Sequence, residues 1–326
     1  MADQTAMIDV MESRVRRREE RRDLFRMLGG KALAGGAATM AAASAAQAQA
    51  APTEADILNF ALNLEYLEGQ FYAAAVGLTL ANADLTGTGT RGEATGGRVV
   101  PFGDNVVRQY AREIAQDEIA HVRFLRAQLG AAAVAQPAID IGTAPNGAFS
   151  SAARAAGLIG AGQSFDVYAS DDNFLLGAYI FEDVGVTAYK GAARFLTTPG
   201  TVQAAAAILA VEAYHAGLIR TILYGRGVDV PALRSAADAI SNARDSLDGG
   251  TDLDQGISPL APSANNPPNA QATTVSNIVP LDDNGLAFSR SGAQILNIVY
   301  LNNRAVRVGG FFPNGVNGTI NQSGAN

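Results

Sequence analysis

The sequence has no cysteine and no tryptophan, and only two histidines in 326 residues. Without thiolates there is no disulfide framework, no iron–sulfur cluster, no cysteine zinc site and no cysteine nucleophile. Two histidines leave little room for Ser-His-Asp chemistry, so any metal site must draw on carboxylates and those two imidazoles. Basic charge is scarce as well: 24 Lys and Arg stand against 31 Asp and Glu, a formal charge of −7. That balance argues against a nucleic-acid partner, whose footprint is a basic stripe. Beyond residue 50 no run of about 18 continuous apolar residues marks a membrane span. What the chain does have is length and apolar content, 48% of its residues, enough for one sizeable core or two modest ones.

Residues 1–50 read as an address. The basic run RVRRREERRDLFR (14–26) precedes an Ala/Gly-rich stretch and AQAQAAP, the layout of a cleaved secretory signal. Arg21-Arg22 resembles a twin-arginine signal, with an ordinary secretory signal as the alternative. Cleavage after Ala48 or Ala50 removes 8 Lys/Arg and 6 Asp/Glu, leaving 16 against 25 and a charge of −9. The expected location is periplasmic or extracellular.

The mature chain reads as all-α. Apolar residues at three- and four-residue spacings predict a first helix over 54–79, behind Thr53 as a cap. TGTGTRGEATGG then breaks the pattern; it lacks the lysine and strand-loop-helix context of a phosphate site and is read as a loop. A second helix is predicted from Asp104 to Gly130, a third from Ser170–Asp171 to about Leu196, and a fourth from about Gly200 to Gly225. The short third connection makes its helices antiparallel neighbours, and the long 131–170 stretch can cross the whole bundle. The predicted division is a bundle over 51–228 and a C-terminal extension over 229–326. That extension has a helix opening at Pro231, a helix or strand within 289–302, and a Gly/Asn-rich tail read as a hairpin or a loose end.

Both histidines sit on predicted helices with Glu three residues before: Glu118-Ile-Ala-His121 and Glu212-Ala-Tyr-His215. With 11 Glu in 326 residues, about 3% per position, two such coincidences have odds of about one in a thousand. Positions i and i+3 share a helix face, so each Glu and His points toward one partner. One such pair alone is ordinarily a local ion pair. The other two helices add Glu65 with Tyr72 and Glu182 with Tyr189, the same Glu-x6-Tyr spacing in both. Two helices each giving a Glu and two each giving Glu-x-x-His form the ligand set of a di-iron or di-manganese carboxylate bundle. Four buried carboxylates without cations would be costly or would take up protons.

The motifs NLEYLEGQFY (63–72), DEIAHVRFL (117–125), FEDVGVTAY (181–189) and VEAYHAGLIR (211–220) resemble the ferritin-like superfamily, within it the exported bacterial proteins related to plant desiccation-related proteins. The resemblance covers about 54–225 and implies a ferritin-like four-helix bundle with a long crossover between its second and third helices. It implies Glu65, Glu118, His121, Glu182, Glu212 and His215 as ligands of two Fe or two Mn ions. The 24-residue loop over 80–103 and the C-terminal third depart from compact iron-storage ferritins.

Glu68 is the alternative to Glu65 as ligand from the first helix. Glu113 and Asp117 read as solvated face or as outer partners of the ligands, and Asp183 as a hydrogen-bond partner of a ligating His. Tyr72 and Tyr189 are the candidate catalytic residues, orienting ligands or carrying one-electron chemistry, with packing as the alternative. The expected activities are a di-iron oxidoreductase acting on O2, peroxide or Fe(II), or a manganese catalase-like reaction, in stress protection. The reading from another class is a non-enzymatic envelope or desiccation-protective protein whose extension mediates assembly. The expected partners are a small-molecule oxidant or a metal ion, and a homo-oligomer is left open.

Overall fold

The computed structural model describes residues 51–260 and 275–326. The expected leader, residues 1–50, lies outside the described residues. In chain order the helices are α1 (Glu54–Val76), α2 (Asn105–Leu129), the short α3 (Ala148–Ala155), α4 (Asp171–Ala193), α5 (Pro199–Asp229), α6 (Pro231–Asp248) and α7 (Gly292–Val299). The four long helices α1, α2, α4 and α5 are those expected, and the 289–302 segment resolves to a helix. The described residues form one compact unit, so the described chain after Asp229 packs with the bundle.

Local chemistry places the helix ends. Thr53 and Asp56 form a capping box on α1, and Gly77 closes it in the left-handed conformation at φ 72°. Asp104 caps α2 by accepting from the Val106 and Val107 amides, and Ser170 caps α4 by accepting from Asn173. α4 stops at Ala193, short of the expected 196, where the chain tightens into turns as Phe195 and Leu196 donate to the Ala192 and Ala193 carbonyls. α5 has Pro199 in its first turn and no side-chain cap of its own; Glu54 of α1 accepts instead from the amides of Thr197 and Thr198. α5 then runs to Asp229, beyond the expected Gly225, which is tolerated as an isolated helical glycine.

α1 packs along α2, and α4 along α5, giving two antiparallel pairs joined by the crossover 130–170. The Gly-rich loop is more ordered than the sequence suggested. Ala94–Thr95 pairs in parallel with Ile139–Asp140, and Thr88 bridges to Val134. Glycine is required by that approach: a Cβ on Gly92 would overlap the Ala138 backbone, and Gly96 has φ 88° against Gly142. The crossover also delivers Phe149, Val167 and Tyr168, all fully buried, to the core.

α5 is the one described helix long and apolar enough to cross a membrane by composition. Its Glu212, His215 and Arg220 are buried against neighbouring helices here, as in a core helix of a globular fold.

The C-terminal residues complete the core. The expected hairpin is reduced to one antiparallel bridge, Gly309 with Phe312, and the tail is not loose: Phe311 and Phe312 are fully buried, and Phe311 packs edge-on against Phe149 at 5.1 Å and Phe181 at 4.9 Å. Three buried arginines bind this region to the bundle. Arg220 donates to Asp183 and to the carbonyls of Gln255, Gly256, Asn277 and Ile278. Arg244 joins Asp183 to Asp254, and Arg290 joins Asp254 to Asp248. Three arginines against three aspartates leave no net buried charge. Removing one partner of such a network strands the others and is strongly destabilising.

Because Phe311 has no solvent-exposed surface, Phe311→Ala should lower unfolding stability by about 3–5 kcal/mol. Urea unfolding of the metal-free protein checks this, and a loss under about 1 kcal/mol would show that the tail is not core.

Candidate metal centre

The four bundle helices converge on one buried cluster. Glu65, Glu118, Glu182 and Glu212 are at most 1% exposed, and His121 and His215 are 8% and 5%. All six residues expected from the sequence are brought together. His121 turns Nδ1 inward, 3.2 Å from Glu65 Oε2, 3.4 Å from Glu118 Oε2 and 3.9 Å from Glu212 Oε1. Ligand atoms of Glu65, Glu118, His121 and Glu212 all lie within 4.8 Å of one another, a group able to hold a metal ion. His215 also turns Nδ1 inward, 3.0 Å from Glu118 Oε1 and 3.6 Å from Glu182 Oε2. Glu118 is therefore shared: Oε2 serves the His121 side and Oε1 the His215 side.

These separations suit coordination. Two donors about 2.1 Å from one ion, at right or tetrahedral angles, stand about 3.0–3.4 Å apart. Hydrogen bonding accounts for only part of the arrangement, such as the contact of His121 with Glu65. Both oxygens of Glu118, both of Glu212, Glu182 Oε2 and His215 Nδ1 are buried without a hydrogen-bond partner. A buried carboxylate oxygen left unpaired calls for an explanation, and a cation supplies one.

The Glu-x6-Tyr repeat has a crossed geometry. Tyr72 of α1 donates to Glu182 Oε1 of α4, and Tyr189 of α4 donates to Glu65 Oε1 of α1. Each tyrosine thus fixes the carboxylate of the opposite helix, and the two halves of the bundle brace each other.

A model of the ferritin-like domain matches residues 53–225, more than half of the chain. The protein belongs to the ferritin-like family. Among curated proteins it is similar to the desiccation-related protein PCC13-62 of Craterostigma plantagineum, 28% identical over 258 residues, covering 75% of this chain and 76% of that protein. It is also similar to the ferritin-like catalase Nec2 of Nesocodon mauritianus, 27% identical over 279 residues, covering 81% and 84%. No solved structure matches.

In this ferritin-like core the protonation of the cluster follows from burial and crowding. Burial pushes Glu65 up to about 7 and Glu182 up to about 8, with Glu118 adding repulsion to both. Burial and neighbouring carboxylates hold Glu212 and Glu68 well above the carboxylate range. Glu118 goes the other way: burial opposes its charge, but the facing imidazoles hold it far below that range. Burial likewise opposes charging the histidines, yet Glu65 takes His121 up to about 11 and Glu182 takes His215 up to about 9. In the metal-free protein two imidazolium ions therefore flank one shared carboxylate, and protons fill the remaining need for positive charge.

Around this cluster the sequence expectations divide. Glu65 faces His121, whereas Glu68, one turn on, borders a cavity of about 20 Å³ beside Phe181 and Gly185. Glu68 is nonetheless 5% exposed and adds a fifth buried carboxylate. Asp183 does not serve a histidine. Adjacent residues on a helix point about 100° apart, so with Glu182 directed inward Asp183 meets Arg220 and Arg244, each at 2.9 Å. The histidine partner is Asp117, whose Oδ2 lies 3.2 Å from His215 Nε2. Gly185 was missed: a Cβ there would overlap the Glu212 carboxylate, so the glycine is the notch that admits it.

The sign of the pH dependence follows from the raised groups. A group whose folded pKa exceeds its unfolded value contributes stability below the unfolded pKa and loses it as pH rises through the folded one. Glu65, Glu182, His121 and His215 are all of this kind, so the metal-free protein should lose thermal stability from about pH 5 to pH 9. Saturating Mn(II) should stabilise progressively more as pH rises, because ions and protons compete for the same donors. Thermal unfolding across that range checks both slopes; apoprotein stability that rises with pH would contradict the assignment.

Proposed function

We propose that the chain is an exported dimetal-carboxylate protein that decomposes hydrogen peroxide. The observation that carries the reading is the single carboxylate, Glu118, set between two inward-facing imidazoles that each have separate carboxylates. Glu65, His121 and Glu212 would hold one ion, Glu182 and His215 the other, and Glu118 would bridge them. Oxygen and imidazole donors suit iron or manganese. When bound, such a pair supplies a two-electron couple, matched to the conversion of two peroxides into one O2 and two waters.

The remaining residues prepare that site. Asp117 accepts from His215 Nε2 and so holds the proton there once the ring is neutral, which would leave Nδ1 as the free nitrogen facing the carboxylates. Tyr72 and Tyr189 remain protonated, burial pushing both phenols well above their ordinary range, so each acts as a donor that fixes Glu182 or Glu65. The aromatic wall of Phe71, Phe174 and Phe181 keeps bulk water from the α1–α4 side. Similarity to a ferritin-like catalase supports peroxide as the substrate, and the basic then Ala/Gly-rich leader supports export.

A second reading rests on the similarity to a desiccation-related protein: a structural protectant in which the metal pair only stabilises the fold. The two separate in one set of assays. Protein loaded with Mn(II) or Fe(II) should release one O2 for every two peroxides consumed. Glu118→Ala should lower the rate by about 100-fold or more, and Tyr72→Phe by about tenfold. Loaded protein that releases no O2 but oxidises Fe(II) would replace the catalase reading with a ferroxidase. A folded, metal-free His121→Ala/His215→Ala variant that still protects dried cells would favour the structural reading.

A further inference from the structure

The metal centre is buried, so its ions need a way in. Between α2 and α5 runs an open groove of about 660 Å³ whose floor includes the His215 side chain. One wall comes from α2, with Tyr110, Glu113 and Asp117 at three- and four-residue steps. The other comes from α5, where Ala213, Gly217 and Thr221 keep the helix surface low. At Gly217 no atom stands within 4 Å of where a Cβ would be.

We propose that this groove is the loading route of the metal centre, a path for divalent cations that ends at the His215 ring. The inference rests on the reading of the cluster as a metal site. Its own support is charge and connection. The acidic side chains lining the groove are Glu113 and Asp117, and neither Lys nor Arg lines it. Within the described residues, the ion pair made by Asp117 is with His215, and Glu113 makes none.

Two other depressions differ in charge or in connection. A groove of about 580 Å³ beside Val99 and Phe102 touches no residue of the cluster and carries Arg108 and Arg112. A cavity of about 90 Å³ behind α4 is lined by Arg220 and Arg290 together with Asp183 and Asp254, carries no net charge, and touches neither histidine nor any glutamate of the cluster.

The ring of His215 links the two compartments. Nε2 lies 3.2 Å from Asp117 Oδ2 at the groove, and Nδ1 lies 3.0 Å from Glu118 Oε1 in the cluster. A cation gathered by Glu113 and Asp117 stands one imidazole away from the shared carboxylate. Rotation of that ring opens the step. A lining of two carboxylates raises the local concentration of cations and repels anions, while neutral hydrogen peroxide passes without electrostatic penalty.

The test is the rate of metal uptake, read apart from turnover. The chelator-stripped protein is mixed with Mn(II) alone, and loss of the free-ion EPR signal is followed in time. Glu113→Lys should slow uptake about tenfold at low ionic strength, and the difference should shrink in high salt because the exposed charge is then screened. Gly217→Trp, which fills the groove, should slow uptake at every salt concentration. Val99→Trp, in the arginine-lined groove, should leave the rate unchanged. All three variants should reach the final stoichiometry of the wild type. Uptake at the wild-type rate by both Glu113→Lys and Gly217→Trp overturns the route while leaving the metal centre standing. Wild-type protein that takes up neither Mn(II) nor Fe(II) overturns the metal centre itself, and the route with it.

Discussion

Five glutamate side chains buried in one helical core, Glu65, Glu68, Glu118, Glu182 and Glu212, impose the constraint on which the rest of the molecule depends. Carboxylates removed from water must be neutralised by protons, by bases or by metal ions. Side chains of this chain meet part of that need. Two imidazoles flank Glu118, two phenols donate to Glu65 and Glu182, and the remaining oxygens converge without partners. The departure of Glu118 from its neighbours follows from its position: it alone faces both histidines, so it keeps its charge while the others tend toward neutrality. A metal ion would resolve the same problem with donors already in place.

The symmetry of the solution explains the bundle's internal repeat. Each half contributes one helix with Glu and Tyr and one with Glu and His, and the halves are joined by hydrogen bonds that cross between them. Tyr72 holds Glu182 and Tyr189 holds Glu65, so neither half can move without disturbing the other's carboxylate. The asymmetry is equally informative. His215 has Asp117 behind it and a groove in front of Asp117, while the α1–α4 side is closed by aromatic rings. Described residues of the C-terminal third belong to this closure, because Phe311 seals the aromatic layer and the Arg220–Arg244–Arg290 network ties Asp248, Asp254, Gly256 and Asn277 to α4.

Much of this was legible in the sequence because it depends on local spacing. Glu-x-x-His and Glu-x6-Tyr each place their members on one helix face regardless of tertiary context, so all six cluster residues and the four long helices could be read before any packing was known. Partners across helices could not. Asp183 and Asp117 both adjoin a cluster glutamate, and only the directions of α2 and α4 in the bundle decide that Asp117 meets a histidine and Asp183 meets arginines. The meaning of Gly185 appears only with Glu212 packed against it. The tail was obscure for a related reason: FFPNG carries turn signals, and nothing local says that Phe311 ends between Phe149 and Phe181.

The central claim is that one carboxylate joins two metal positions into a single centre. Its most direct test is elemental analysis of the protein purified from its native compartment, beside Glu118→Ala purified in the same way. The account predicts two Fe or Mn ions per chain in the first and the loss of both in the second, with the helical fold retained. Retention of two ions by the folded variant, or a wild-type protein with none, would contradict it.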